Sequence, residues 1–176
     1  MSLAFRPMDR ASVRAILEWR YQPPYDLYNL DPDDPEEAVR CYMDPGNAYH
    51  SVADERGNLV AFCCFGADAQ VSGGDYGAPS LDIGLGVRPD LTGQGRGSVF
   101  VNAVLGFAQR SFEPTSFRVT VAEFNKRARR VWEKAGFEHV QTFERESDGR
   151  SFVVLMQQVA RHRQPPTHST RPRGKA

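Results

Sequence analysis

Residues 87–98 read VRPDLTGQGRGS, and they follow a run at 81–87 in which every second residue is apolar. This alternation predicts a strand with one apolar face. Beyond the glycines, apolar residues recur at helical spacing over 99–110, which predicts a helix. A strand that enters closely spaced glycines and then a helix directs several backbone N–H groups into one concavity, with the positive end of the helix dipole behind them. The stretch therefore predicts an anion site.

The spacing of the glycines narrows the kind of anion site. Gly93, Gly95 and Gly97 are each separated by one residue, which leaves the backbone open to phosphate oxygens. The dinucleotide fingerprint needs two residues between its second and third glycines, and the P-loop needs Gly-Lys followed by Ser or Thr. The sequence matches neither of these two phosphate loops.

The rest of the chain alternates helical and extended patterns. Helices are predicted over 10–19, from Asp34 onward, and between Asn125 and Gly136; strands are predicted over 49–53, 59–65, 117–121, 138–146 and 151–159. Residues 66–79 are rich in small and polar residues and predict a surface loop. The strands before the glycine loop indicate an antiparallel meander, unlike the opening of a doubly wound parallel sheet.

The glycine loop resembles the CoA-binding signature of the GNAT superfamily of acyl-CoA-dependent N-acyltransferases. The family pattern is Gln or Arg, two residues, Gly, one residue, then Gly or Ala. Gly95 and Gly97 match it, while Thr92 departs from the long polar side chain of the first position. A second segment, NKRARRVWEKAGF at 125–137, is similar to another segment that recurs in the family. Together with the order of strands and helices, the resemblance covers about residues 4–159.

The resemblance implies an α/β fold of the α+β type, with a mixed, strongly bent sheet of about seven strands and about four helices. The central strands of such a sheet splay apart to admit the pantetheine arm of CoA. It also implies an N-acetyltransferase that takes acetyl-CoA as co-substrate and acts on a primary amine, in a small molecule or a peptide, by direct attack in a ternary complex. A homodimer is compatible with this expectation.

The same resemblance assigns residues to the CoA site. The backbone N–H of Leu85 is expected to polarise the thioester carbonyl, and Asn125 to combine helix capping with a hydrogen bond to the pantetheine arm. Trp132 stands where the family commonly has a tyrosine that protonates the thiolate, and an indole cannot do this; packing against core or cofactor is its expected role. The full expected CoA set is Leu85, Val87, Arg88, Thr92, Gly93, Gln94, Gly95, Arg96, Gly97, Ser98, Asn125 and Trp132.

The general base has three candidates. Asp82 is the only acid in the strand beside the expected thioester, on the same face as Gly84 and Gly86, and an ordinary solvated strand residue is the alternative interpretation. Glu123 is the second candidate, and a chain of water molecules is the third.

The acceptor amine is expected near the loop that follows the first helix. Tyr21, Tyr25 and Tyr28 flank a pair of prolines there, and they could line a substrate pocket or simply pack the loop onto the core. Acids near this loop could attract a cation: Asp26, Asp31, Asp33 and Asp34.

Composition limits the function classes. A chain of 176 residues with 40% hydrophobic residues predicts one domain, about 1–160. It contains no apolar run of 18 residues, and charged residues lie among the first twenty, so a cytoplasmic protein without a membrane span is expected. The three cysteines have the spacing of neither a disulfide framework nor a zinc cluster, and no metal is expected.

The last sixteen residues, 161–176, hold five bases and no acid, which leaves 17 bases against 22 acids in the rest of the chain. Prolines and the lack of apolar residues predict a basic, disordered tail. An acidic body argues against a nucleic-acid enzyme, so nucleic acid is not an expected partner.

Two other functions compete with the acetyltransferase. The missing tyrosine and the unassigned base are compatible with a non-catalytic acyl-CoA-binding or regulatory module. The basic tail is compatible with nucleic-acid binding, which would depend strongly on salt.

Overall fold

One mixed sheet of seven strands organises the computed structural model, which describes residues 2–159. Its spatial order is β1-β2-β3-β4-β5-β7-β6, and all neighbours are antiparallel except β4 and β5. The strands are β1 (Ala4–Pro7), β2 (His50–Ala53), β3 (Leu59–Phe65), β4 (Leu81–Val87), β5 (Ser116–Ala122), β6 (Glu138–Glu144) and β7 (Ser151–Gln158).

Four α-helices cover the two faces of the sheet: α1 (Arg10–Leu17), α2 (Pro35–Met43), α3 (Gly97–Phe112) and α4 (Lys126–Lys134). Buried residues of α1 and α2 pack with Phe62 of β3 in one cluster. Buried residues of α3 and α4 pack with Cys63 and Ile83 in a second, larger cluster. Because Phe62 and Cys63 are consecutive in a strand, they point to opposite faces, and each helix pair therefore covers its own face.

The helix starts follow the capping chemistry that the sequence predicts. Asp9 accepts a hydrogen bond from the backbone N–H of Ser12, and Asp34 accepts one from that of Glu36, with Pro35 as first helical residue. Asn125 caps α4 by accepting from the N–H of Ala128. These caps fix where α1, α2 and α4 begin.

The pairing between β4 and β5 is the shortest in the sheet. Only Leu81–Phe117 and Asp82–Arg118 are in register, although each strand has seven residues. Beyond these two pairs the strands diverge, and a fork opens between them. The fork is the splayed geometry that the resemblance implies.

A buried ion pair joins Asp82 and Arg118, the last two residues that are in register between β4 and β5. Arg118 donates to both carboxylate oxygens of Asp82, from Nε at 2.6 Å and from Nη2 at 2.8 Å, and both residues are 3% exposed. Gln70 donates a further hydrogen bond to Asp82 at 2.8 Å, and the guanidinium lies 4.9 Å from the ring centre of Tyr76. The network ties the connection between β3 and β4 to the sheet.

The predicted mixed sheet of about seven strands with about four helices is confirmed. Boundaries differ slightly: α1 ends at Leu17, two residues earlier than predicted, and α3 extends to Phe112, two residues further. Within residues 2–159, no helix is long and apolar enough to span a lipid bilayer. The predicted basic tail, 161–176, lies outside the described residues.

Arg118→Met should lower the free energy of unfolding by about 3–5 kcal/mol, because it leaves the buried carboxylate of Asp82 without its counter-charge. Urea denaturation measures the change. Arg40→Met is the matched control: Arg40 pairs with Asp34 at 3.4 Å, but its side chain is 67% exposed, so stability should hardly change. An Arg118→Met protein as stable as the parent would show that the ion pair does not hold the fork.

Candidate active site

A cavity of about 780 Å³ lies in the fork. The residues 83–87 of β4 form one wall, and Val119, Thr120 and Val121 of β5 form the opposite one. One end of the cavity reaches the glycine loop, and the other reaches the connection between β3 and β4. The volume is in the usual range for small-molecule sites, about 300–1,000 Å³.

The glycine loop leads from β4 to the N-terminus of α3. Gly93 and Gly95 both have φ of +73°, a conformation that other residues rarely adopt. A Cβ atom at Gly95 would have no atom within 4 Å, so the backbone there is uncovered. Because α3 starts at Gly97, its first N–H groups lie beside this open backbone. The loop has the features of a phosphate site.

The expected CoA residues divide into two groups. Nine of them line the cavity: Leu85, Val87, Thr92, Gly93, Gly95, Gly97, Ser98, Asn125 and Trp132. Arg88 instead pairs with Asp90 at 2.7 Å, and Gln94 donates to the carbonyl of Asp90 at 2.6 Å, so both brace the loop from outside. Arg96 is exposed and precedes α3.

Three bases of α4 that were not predicted as site residues from the sequence also line the cavity at this end: Arg127, Arg130 and Lys134. Arg127 reaches the loop itself, since its Nη1 lies 2.9 Å from where a Cβ at Gly93 would be. The spacing of three and four residues places all three bases on one face of the helix. This spacing is the pattern from which the three bases could have been identified in the sequence.

The register of β4 determines where the backbone of Leu85 points. The N–H of Arg88 donates to the carbonyl of Val60, and the N–H of Gly66 donates to that of Asp82. Hydrogen-bonded pairs alternate along an antiparallel ladder, so the even-numbered residues of β4 bond to β3. The N–H of Leu85 is therefore turned toward the fork, where β5 no longer pairs. It is a backbone donor directed into the cavity.

The three tyrosines predicted for the substrate all line the cavity. The hydroxyl of Tyr21 donates to the carbonyl of Val87 at 2.9 Å, and burial raises the pKa of this hydroxyl to about 12. The hydroxyl of Tyr28 accepts from Nδ2 of Asn125 at 3.1 Å. Tyr25 lies under the guanidinium of Arg127, 3.8 Å from it. The loop thus closes one side of the cavity with neutral aromatic side chains.

Trp132 is 5% exposed and packs edge-on against Phe137, with ring centres 5.0 Å apart. It belongs to the core cluster under α3 and α4 and also lines the cavity. This position combines the two roles expected of it, and its indole offers one N–H donor that cannot titrate near neutral pH.

The two predicted general bases, Asp82 and Glu123, do not line the cavity. The sequence predicts that Asp82 lies beside open space, but its carboxylate accepts hydrogen bonds from Arg118 and Gln70. The space above Gly84 and Gly86 is filled by Cys64 and Phe62. A Cβ at Gly86 would lie 2.3 Å from the ring of Phe62, and one at Gly84 would lie 2.6 Å from Sγ of Cys64.

Glu123 is exposed and, like Asp82, is not among the residues that line the cavity. Its described contact is the backbone hydrogen bond from its own N–H to the carbonyl of Ser151. The assignment of either acid as a general base therefore stays a prediction without support from the cavity geometry.

Comparison with known proteins agrees with this geometry. A sequence model described as the acetyltransferase (GNAT) family matches residues 13–137. No curated protein sequence matches the chain.

Several solved structures share the fold. A spermidine N-acetyltransferase chimera from Vibrio cholerae and hSSAT has a TM-score of 0.70 at 17% identity, over 90% of this chain and 96% of that one. Aminoglycoside acetyltransferase AAC(6')-Ib in complex with coenzyme A has a TM-score of 0.70 at 18% identity, over 89% and 95%. Spermidine N-acetyltransferase from Vibrio cholerae with CoA and spermine has a TM-score of 0.63 at 17% identity, over 89% and 95%.

Gly95→Val should weaken CoA binding at least tenfold, about 1.4 kcal/mol, because a branched side chain would occupy the space beside the open backbone. Isothermal calorimetry with CoA measures the change. Gly57→Val is a matched control, since Gly57 also has positive φ, +81°, and open space around it, but lies in the turn between β2 and β3. If both variants fold and bind CoA like the parent, the loop is not the phosphate site.

Proposed function

Because this chain belongs to the GNAT acetyltransferase family, we propose that it transfers an acetyl group from acetyl-CoA to a primary amine by direct attack in a ternary complex. One observation carries the proposal: a single cavity joins the glycine loop, through the fork between β4 and β5, to the connection between β3 and β4, and the tyrosine loop closes one side of it. Two ligands that enter from opposite ends would meet beside Leu85. The named relatives with the same fold act on amines and support an amine acceptor.

The residues at the glycine loop fit the phosphates of CoA. The loop offers open backbone and the start of a 16-residue helix, and phosphate oxygens are good ligands for such N–H groups. Arg127, Arg130 and Lys134 add positive charge at the same end. The nonpolar stretch of the cavity along β4 suits the pantetheine arm, and the odd-numbered residues of β4 turn their backbone groups toward it.

Bound acetyl-CoA would supply an acetyl thioester at the fork. The amine nitrogen attacks the carbonyl carbon, the C–N bond forms, and the C–S bond breaks with its electron pair leaving on sulfur. The N–H of Leu85 is the donor we assign to the carbonyl oxygen, where negative charge develops in the transition state. Holding both reactants in one cavity replaces a bimolecular collision by a positioned reaction.

An amine that arrives as an ammonium loses two protons, one before the nitrogen attacks and one after the C–N bond forms, and we propose that water in the cavity carries both out. Asp82 and Glu123 remain predicted bases, but neither lines the cavity, and a base must reach the proton it removes directly or through one water molecule. Trp132 has no ionisable proton to return. We therefore propose that sulfur leaves as a thiolate, since a thiol pKa near about 8.5 makes this a fair leaving group.

A non-catalytic acyl-CoA-binding module is the second candidate, favoured by the two acids that lie away from the cavity and by Trp132. Release of free thiol from acetyl-CoA in the presence of simple primary amines separates the two functions. An acetyltransferase releases thiol only when amine is present and yields the acetylated amine by mass spectrometry. Tight CoA binding without release for any amine would favour the binding module.

Trp132→Phe should keep most of the activity, because phenylalanine preserves most of the apolar volume and the indole is not a proton donor. Trp132→Ala should lower the free energy of unfolding by roughly 3–5 kcal/mol, since it opens a cavity in the core. Thiol-release rates and urea denaturation measure the two effects.

Trp132→Tyr is the complementary test, because it introduces an ionisable proton donor at this position. If the phenol reaches the sulfur, the rate should rise. A Trp132→Phe protein that folds and binds CoA normally but loses more than about a hundredfold in rate would contradict the packing role, since this is the scale for loss of a catalytic donor.

A further inference from the structure

The charges along the cavity are distributed unevenly. Three bases of α4 line the end at the glycine loop, whereas the opposite end has a single acid, Asp68, in the connection between β3 and β4. Within the described chain, residues 2–159, Asp68 is the only acidic side chain that lines this cavity. Its neighbour Ala69 lies 3.6 Å from where a Cβ at Gly84 would be. Asp68 itself is exposed, and its carboxylate accepts a hydrogen bond from Sγ of Cys41 in α2 at 3.7 Å.

The fourth basic side chain that lines the cavity, Arg145, is already paired with a carboxylate. Arg145 lines the wall near Phe152, and its guanidinium donates to both carboxylate oxygens of Asp148 at 2.9 and 2.5 Å. An acceptor with a carboxylate of its own would have to compete with Asp148 for this charge. Among the residues described, the end of the cavity at Asp68 therefore offers one negative charge and no positive charge besides the paired Arg145, whereas Arg127 places positive charge over Tyr25 of the tyrosine loop.

The wall around Asp68 is aromatic and neutral. Tyr49 stacks on Tyr42 with ring centres 4.2 Å apart, and Phe62 lies next to both. Burial raises the pKa of the Tyr49 hydroxyl far above its ordinary value and that of the Cys64 thiol to about 12. Neither group supplies a second negative charge at neutral pH. The acids that the sequence suggested near the tyrosine loop do not line the cavity: Asp26, Asp31, Asp33 and Asp34.

We propose that the acceptor is a small monoamine with an apolar, preferably aromatic body, and that Asp68 attracts its ammonium group. The inference rests on the proposed function and names its substrate class. A chain with two or more ammonium groups would leave at least one of them without a carboxylate partner in the cavity, because Asp68 is the only acid that lines it among the residues described. An apolar body gains free energy in the same place.

The test compares matched amines at saturating acetyl-CoA by thiol release. Phenethylamine should exceed spermidine and 1,4-diaminobutane in kcat/KM by at least about tenfold, and phenylalanine, which adds a carboxylate, should be the poorer acceptor. From butylamine to hexylamine, kcat/KM should rise by roughly threefold to fourfold per buried methylene. Spermidine as the better substrate would overturn the inference and leave the acetyltransferase function intact.

Asp68→Asn identifies the charge that selects the amine. It should raise KM for phenethylamine by about fivefold or more at low salt, and the effect should shrink at high salt because the attraction is electrostatic. The Kd for CoA should not change. Asp26→Asn is the matched control, an exposed acid on the tyrosine loop outside the cavity. Equal effects of the two variants, or a salt-independent loss, would overturn the role of Asp68.

A binding measurement keeps the inference separate from the proposed function. If no amine is acetylated although CoA binds, the acetyltransferase proposal fails. Calorimetry of amines with the CoA complex then decides the inference alone: tighter binding of phenethylamine than of spermidine, lost in Asp68→Asn, supports it, and the reverse order overturns it.

Discussion

The early end of the pairing between β4 and β5 is the constraint on which the rest of the structure depends. After Asp82–Arg118 the two strands separate, and the odd-numbered residues of β4 are left with backbone groups directed into the fork. Unpaired backbone groups in a sheet cost free energy, so a fork in the middle of a sheet requires compensation. The ion pair at its base, both members 3% exposed, fixes where the separation begins, and a ligand in the fork can satisfy the open groups.

Close packing on the other face keeps the fork in place. Phe62 and Cys64 press against Gly86 and Gly84 so closely that a Cβ atom at either glycine would overlap with them. The two glycines thus leave room for the side chains of Cys64 and Phe62 against β4, which is a role in packing. Hydrogen bonds to β3 hold strand β4 on one edge, and these side chains pack against one of its faces. Only the edge toward β5 stays open.

Local patterns were sufficient to predict most of the fold. Alternation identified β4, glycine spacing identified the anion loop, and capping residues placed the helix starts within a few residues. Local patterns could not predict the environment of Asp82, because its partner Arg118 is 36 residues away. Arg118 also occupies a strand position where a charged side chain is normally solvated. Asp68 gave no signal either, since it lies in a loop whose path depends on the whole sheet.

The two parts of the cavity favour different protonation states of an amine. The part that favours the charged form would be met first, and the part that favours the neutral form would follow. Asp68 stabilises the charged form of an amine, which is the form that dominates in solution. The aromatic, neutral wall beyond it disfavours charge and therefore lowers the pKa of an amine that moves inward. In the proposed reaction, an ammonium captured at the acidic end becomes easier to deprotonate as it approaches Leu85. The bases of α4 at the glycine-loop end would repel the ammonium from the proposed phosphate site, so that each proposed ligand keeps to its own part of the cavity.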